Sequence, residues 1–109
     1  MTFRNFTPHE IIVIGSDQEV LRRYLSEGSV RVEEKSEHDG INDGIQIVRT
    51  TYGNAVGLPP PTEGAMFIVS QPVLLACPDR TDLVAPDTGS ESVVRDPKGT
   101  IIGVRRFRR

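Results

Sequence analysis

The chain lacks tryptophan, has one cysteine, and holds no apolar run approaching the roughly 20 residues that cross a bilayer. A single cysteine excludes an intrachain disulfide and cannot build a structural zinc site. Cys77, in Leu74-Leu75-Ala76-Cys77-Pro78, reads as a small buried hydrophobe. The two histidines, His9 and His38, show no metal-ligand spacing, so neither a metal nor a cofactor is expected. No nucleophile elbow, phosphate-binding P-loop or dinucleotide glycine fingerprint is present, and so no motif names a reaction. The first residues, Met1-Thr2-Phe3-Arg4-Asn5-Phe6, lack the apolar core of a signal peptide. With sparse cysteine, this makes a soluble protein of a reducing cytoplasm the expectation, with no membrane partner.

What is there fits one domain over residues 1–109. Hydrophobic residues make up only 37%, which leaves room for a homo-oligomer to complete the core. Charge is unevenly distributed. Residues 1–45 carry −4 and residues 46–94 carry −3, while residues 95–109 carry +5. The protein is an acidic body with a basic C-terminal tail at 105–109, Arg105-Arg106-Phe107-Arg108-Arg109. Four arginines around an aromatic could contact phosphates and stack on bases. The patch is short and the chain acidic overall, so a solvated strand end or pairing with a neighbouring subunit is the better expectation, and nucleic acid is not the expected partner.

The hydropathy pattern predicts strands at Ile11–Gly15, Ser29–Glu33, Ile45–Tyr52, Ala65–Val69 and Leu83–Ala85. Thr7 precedes Pro8 and is held extended. Val20, Leu21, Tyr24 and Leu25 fall at helical spacing, predicting a short helix over 17–26. The polar, glycine-bearing stretch Glu34–Gly44 reads as a mobile loop. Gly57-Leu58-Pro59-Pro60-Pro61 reads as a rigid polyproline-like connector. Ser70 is a good helix N-cap, Pro72 is tolerated in a first turn, and Pro78 limits that helix to two turns. Val93-Val94-Arg95 and Thr100–Val104 flank Asp96-Pro97-Lys98-Gly99, a type I turn with a terminal glycine. The predicted fold is α+β, predominantly β: a single small mixed or antiparallel sheet, or a barrel, with one or two short helices.

The chemistry concentrates between Ser70 and Gly89, where Arg80, Asp82, Asp87 and Thr88 sit among prolines. Arg80 can pin the loop by pairing with Asp82 or Asp87, or its planar fork can grip a phosphate or carboxylate. In the second reading Arg80, with Arg49 or Arg95, meets an anionic, nucleotide-like ligand. Asn5, Thr7, His9, Ser70 and Thr88 supply hydrogen bonds, and Asp82 and Asp87 complete the site. Two other classes stand beside this one. One is an interaction protein assembling through sheet edges and its basic tail. The other is a small hydrolase using His9 with Asp82 or Asp87.

Asn5-Phe6-Thr7-Pro8-His9, Gly57-Leu58-Pro59-Pro60-Pro61, Ile68-Val69-Ser70 and Arg80-Thr81-Asp82-Leu83-Val84-Ala85-Pro86-Asp87 occur in this order, ahead of the Val94-Arg95-Asp96…Gly99 hairpin. In these motifs the chain resembles a group of small uncharacterised proteins of phages, prophages and bacterial genomes. The resemblance implies a phage accessory role, such as sequestering a host signalling molecule, and assigns no catalytic residue.

Overall fold

Pairing between segments far apart in sequence builds this protein. The computed structural model describes all 109 residues, half of them in strands and 6% in helix. The strands are β1 (Thr2–Asn5), β2 (Ile11–Ile14), β3 (Val20–Tyr24), β4 (Arg31–Asn42), β5 (Ile45–Val56), β6 (Ala65–Ile68), β7 (Leu83–Pro86), β8 (Val93–Arg95), β9 (Ile101–Val104) and β10 (Phe107–Arg108). One helix, α1 (Gln71–Ala76), lies between β6 and β7.

They form two four-stranded sheets, ordered β1-β6-β7-β10 and β3-β2-β9-β8, and a separate β4-β5 ribbon. The expectation of one sheet or a closed barrel is corrected accordingly: there are three sheets, and none closes. The first sheet is parallel at β1-β6-β7 and antiparallel at β10. Its pleat sends Phe67, Leu83 and Ala85 to one face. There α1 and the base of the ribbon cover them, and the core gathers Val30, Ala65, Phe67, Val69, Val73 and Leu83. On the other face, Phe3 and Phe107 meet edge to face at 4.9 Å, and both rings reach Tyr24 of the second sheet. Only 18 of 109 residues are buried, so this core is small for the chain.

Two local expectations are overturned. Residues 20–24 form β3 rather than a helix. A tight turn, with Gly15 N–H donating to Glu19 O and Gln18 at φ 69°, folds them back antiparallel on β2. Tertiary pairing outweighs the helical spacing of the apolar residues. Residues 34–42 are not a loop but the outer three-quarters of β4, templated by the β-branched strand β5 opposite. Asp43 (φ 52°) and Gly44 (φ 75°) close this ribbon in a two-residue turn with both φ values positive.

Other expectations stand. Helix α1 has Ser70 at its N-cap, though without a side-chain capping bond. The β8–β9 hairpin turns at Asp96, which accepts from Lys98 N–H and Thr100 N–H through Oδ1 and from Gly99 N–H through its carbonyl. Gly103 is fixed by close approach: a Cβ there would lie 2.7 Å from Ile14 Cδ1 and 2.8 Å from Ile12 O.

Candidate functional site

Asn5, Thr7 and His9 lie in one tight knot. Asn5 is fully buried and uses its whole amide. Its Nδ2 donates to His9 O (2.8 Å) and Tyr24 O (2.9 Å). Its Oδ1 accepts from Thr7 N–H (2.9 Å) and Thr7 Oγ1 (2.7 Å). The knot joins the β1–β2 turn to the end of β3, and it spends the polar groups of Asn5 and Thr7 on backbone and on each other. The His9 side chain is exposed and hydrogen-bonds neither Asp82 nor Asp87.

Arg80 and Asp82 form a fork-to-fork pair, with Nε–Oδ1 and Nη2–Oδ2 both at 2.8 Å. Both side chains are about four-fifths covered. Hydrogen bonding to Asp82 raises the Arg80 pKa, and the same bond holds the Asp82 carboxyl below its ordinary value. Asp87 instead meets Arg106, at 2.6 Å from Nε, and also accepts from Gly89 N–H. Both bonds, with Arg106 the larger, keep its carboxyl acidic. Arg95 donates to Gly99 O within its own hairpin, and Arg49 pairs with Asp39 on the ribbon. Ser70 starts α1, and Thr88 is exposed beside an apolar groove lined by Ile12, Ile101 and Ile102. The ten residues singled out from sequence therefore do not converge on one site.

The basic C-terminal segment is woven into the sheets. Arg105 and Arg106 donate backbone N–H groups to Ser92 Oγ, and the Arg105 guanidinium donates to Gly15 O. Phe107 and Arg108 then pair with Pro86 and Ala85 of β7. This register turns Arg108 to the α1 face, the same side as Leu83.

A cleft of about 370 Å³ opens there. Leu74, Leu75 and Leu83 line it, and Arg80, Arg108 and Arg109 stand around it with Gln71, Cys77 and Pro78. Arg80 is held by Asp82, while Arg108 and Arg109 make no ion pair. Two of Arg80's five N–H donors go to Asp82, leaving three. In the sequence, Arg108 and Arg109 belong to the basic tail that could contact phosphates, not to the loop around Arg80. Their place beside Arg80 follows from the β10–β7 pairing.

The lining is a cationic rim on an apolar surface, with the free thiol of Cys77 as its one nucleophilic group. Compared with family models, curated proteins and solved structures, the chain finds no match.

Proposed function

We propose that the protein is a non-enzymatic binding protein for a small anionic ligand of nucleotide-like class, held in the cleft between α1 and β10. The observation that carries this reading is the grouping of Arg80, Arg108 and Arg109 around Leu74, Leu75 and Leu83. Guanidinium groups match phosphate oxygens in bidentate geometry, and leucine side chains offer an apolar surface to a planar base. Asp82 pre-sets Arg80, so less side-chain entropy is lost on binding. In a phage setting, such a protein would act by sequestration.

The test is calorimetric titration with mono- and dinucleotides and with inorganic phosphate, beside Cys77 alkylation rates. Saturable binding is expected. It should weaken at least tenfold in Arg108→Gln with an unchanged circular dichroism spectrum, and Cys77 should alkylate more slowly with ligand bound. Absence of saturable binding across the nucleotide series would overturn the reading.

A further inference from the structure

The β4–β5 ribbon stands away from the body. Each strand runs 12 residues, about 40 Å at roughly 3.4 Å per residue. The radius of gyration is 16.3 Å, where a chain of this length packed as a globule gives about 13 Å. Only the base, at Val32 and Ala55, packs against the core. A two-stranded ribbon alone in water is marginal, yet this one ends in exposed aliphatics. Ile41, Ile45, Ile47 and Val48 are each 45–67% exposed.

The two edges of the ribbon differ. β4 carries Glu33, Glu34, Glu37 and Asp39 and has a bulge at Asp39, both devices that block further strand addition. From Ile45 to Tyr52, β5 has no proline, no acid and one charge, Arg49, which meets Asp39 through Nη2 alone at 3.3 Å and stays exposed. One edge is guarded and the other is open.

We propose that β5 is the homodimer seam: the tip of β5 pairs antiparallel with the tip of β5 in a second copy, about a two-fold axis at Gln46. The turn sets this register. The two-residue turn makes Asn42↔Ile45 the last hydrogen-bonded pair of the ribbon, so Gln46 turns its backbone N–H and C=O outward. A two-fold at Gln46 then sets these groups against their own copies. The same axis places Ile45 of one copy across from Ile47 of the other, twice, gathering four isoleucines on one face. It also carries Arg49 of each copy past Ile45 of the other, beside the turn that holds Asp43, so opposite charge borders both ends of the apolar cluster. The surface is its own complement, as an isologous interface requires, and it joins the ribbons into a sheet ordered β4-β5-β5-β4.

The test is the solution mass of the full chain, with disulfide trapping in a Cys77→Ser background. A mass of about 24 kDa is expected, twice the 12.0 kDa of the chain. The Ile45→Lys/Ile47→Lys variant should be monomeric with its circular dichroism unchanged. Gln46→Cys should oxidise to a covalent dimer, since opposed residues in a hydrogen-bonded pair lie about 5.5 Å apart at Cα, within disulfide reach. Thr50→Cys should not, because its two copies stand eight strand positions apart in this register, about 27 Å. A 12.0 kDa mass at high micromolar concentration would overturn the proposal. So would a dimer that survives the two lysines, or trapping through Thr50→Cys in place of Gln46→Cys.

Discussion

Asn5 Oδ1 accepts from both the backbone N–H and the hydroxyl of Thr7, at 2.9 and 2.7 Å, inside a site closed to solvent. Together with the two bonds donated by Nδ2, this makes Asn5 the junction of β1, the β1–β2 turn and the end of β3. Asn5→Ala would orphan Thr7 N–H and take a donor from Tyr24 O, while the Thr7 hydroxyl would keep His9 O as its acceptor. At about 1 kcal/mol per net hydrogen bond, with more for buried orphans, the expected loss is ~2–4 kcal/mol. Thr7→Val, which keeps the shape and removes the hydroxyl, should cost about half as much. Urea unfolding midpoints of the two variants check the order.

Asp82 and Asp87 make stability depend on acid in a definite direction. Both carboxyls titrate below their ordinary value, held by Arg80 and Arg106 respectively. A carboxyl whose folded pKa lies below its unfolded pKa contributes stability above the unfolded value, about 3.9 for Asp, and loses it as pH falls through the folded value. The protein should therefore weaken progressively below about pH 4. Asp82→Asn should lower stability at neutral pH and flatten that slope. Thermal midpoints between pH 7 and pH 2 read the effect, and an unchanged slope in Asp82→Asn would assign the acid sensitivity elsewhere.

Gly103 permits the close approach of β9 to β2. A methyl group there meets Ile14 Cδ1 at 2.7 Å and the Ile12 carbonyl at 2.8 Å. The side chain of Ile14 can move, but the carbonyl belongs to the strand. Gly103→Ala should cost about 1–3 kcal/mol through this overpacking. Pairing Gly103→Ala with Ile14→Val should recover only part of the loss. Denaturant midpoints of the single and double variants measure it.

The Asp96-Pro97-Lys98-Gly99 turn was legible because its geometry is local. Asp96 caps the N–H groups of Lys98 and Thr100, and Gly99 takes φ 87°, all within five residues. The short helix between Ser70 and Pro78 was legible for the same reason. Strand β1 was not, because Thr2–Asn5 becomes a strand only by lying beside Ala65–Ile68. Val20 and Leu21 misled for a related reason: their helical spacing is genuine, but pairing with β2 decides the backbone. In the 34–42 stretch, polarity and glycine pointed to a loop, and the strand opposite made it β. Of the cleft, Arg80, Cys77 and the basic tail each stood out in the sequence, but nothing in it brought them together. Arg108 and Arg109 reach it through the β7–β10 register, which no local pattern encodes.

The order of strands in the two sheets has a consequence for synthesis. β1, near the start of the chain, pairs with β6, more than sixty residues on, and β2 pairs with β9. On a ribosome, β1 therefore waits unpaired until Ala65–Ile68 emerge, and the second sheet cannot close until Ile101–Val104 have been made. The β2–β3 hairpin lies within 14 consecutive residues and the β4–β5 ribbon within 26, so these two are the parts of this protein whose pairing can be complete before either four-stranded sheet closes.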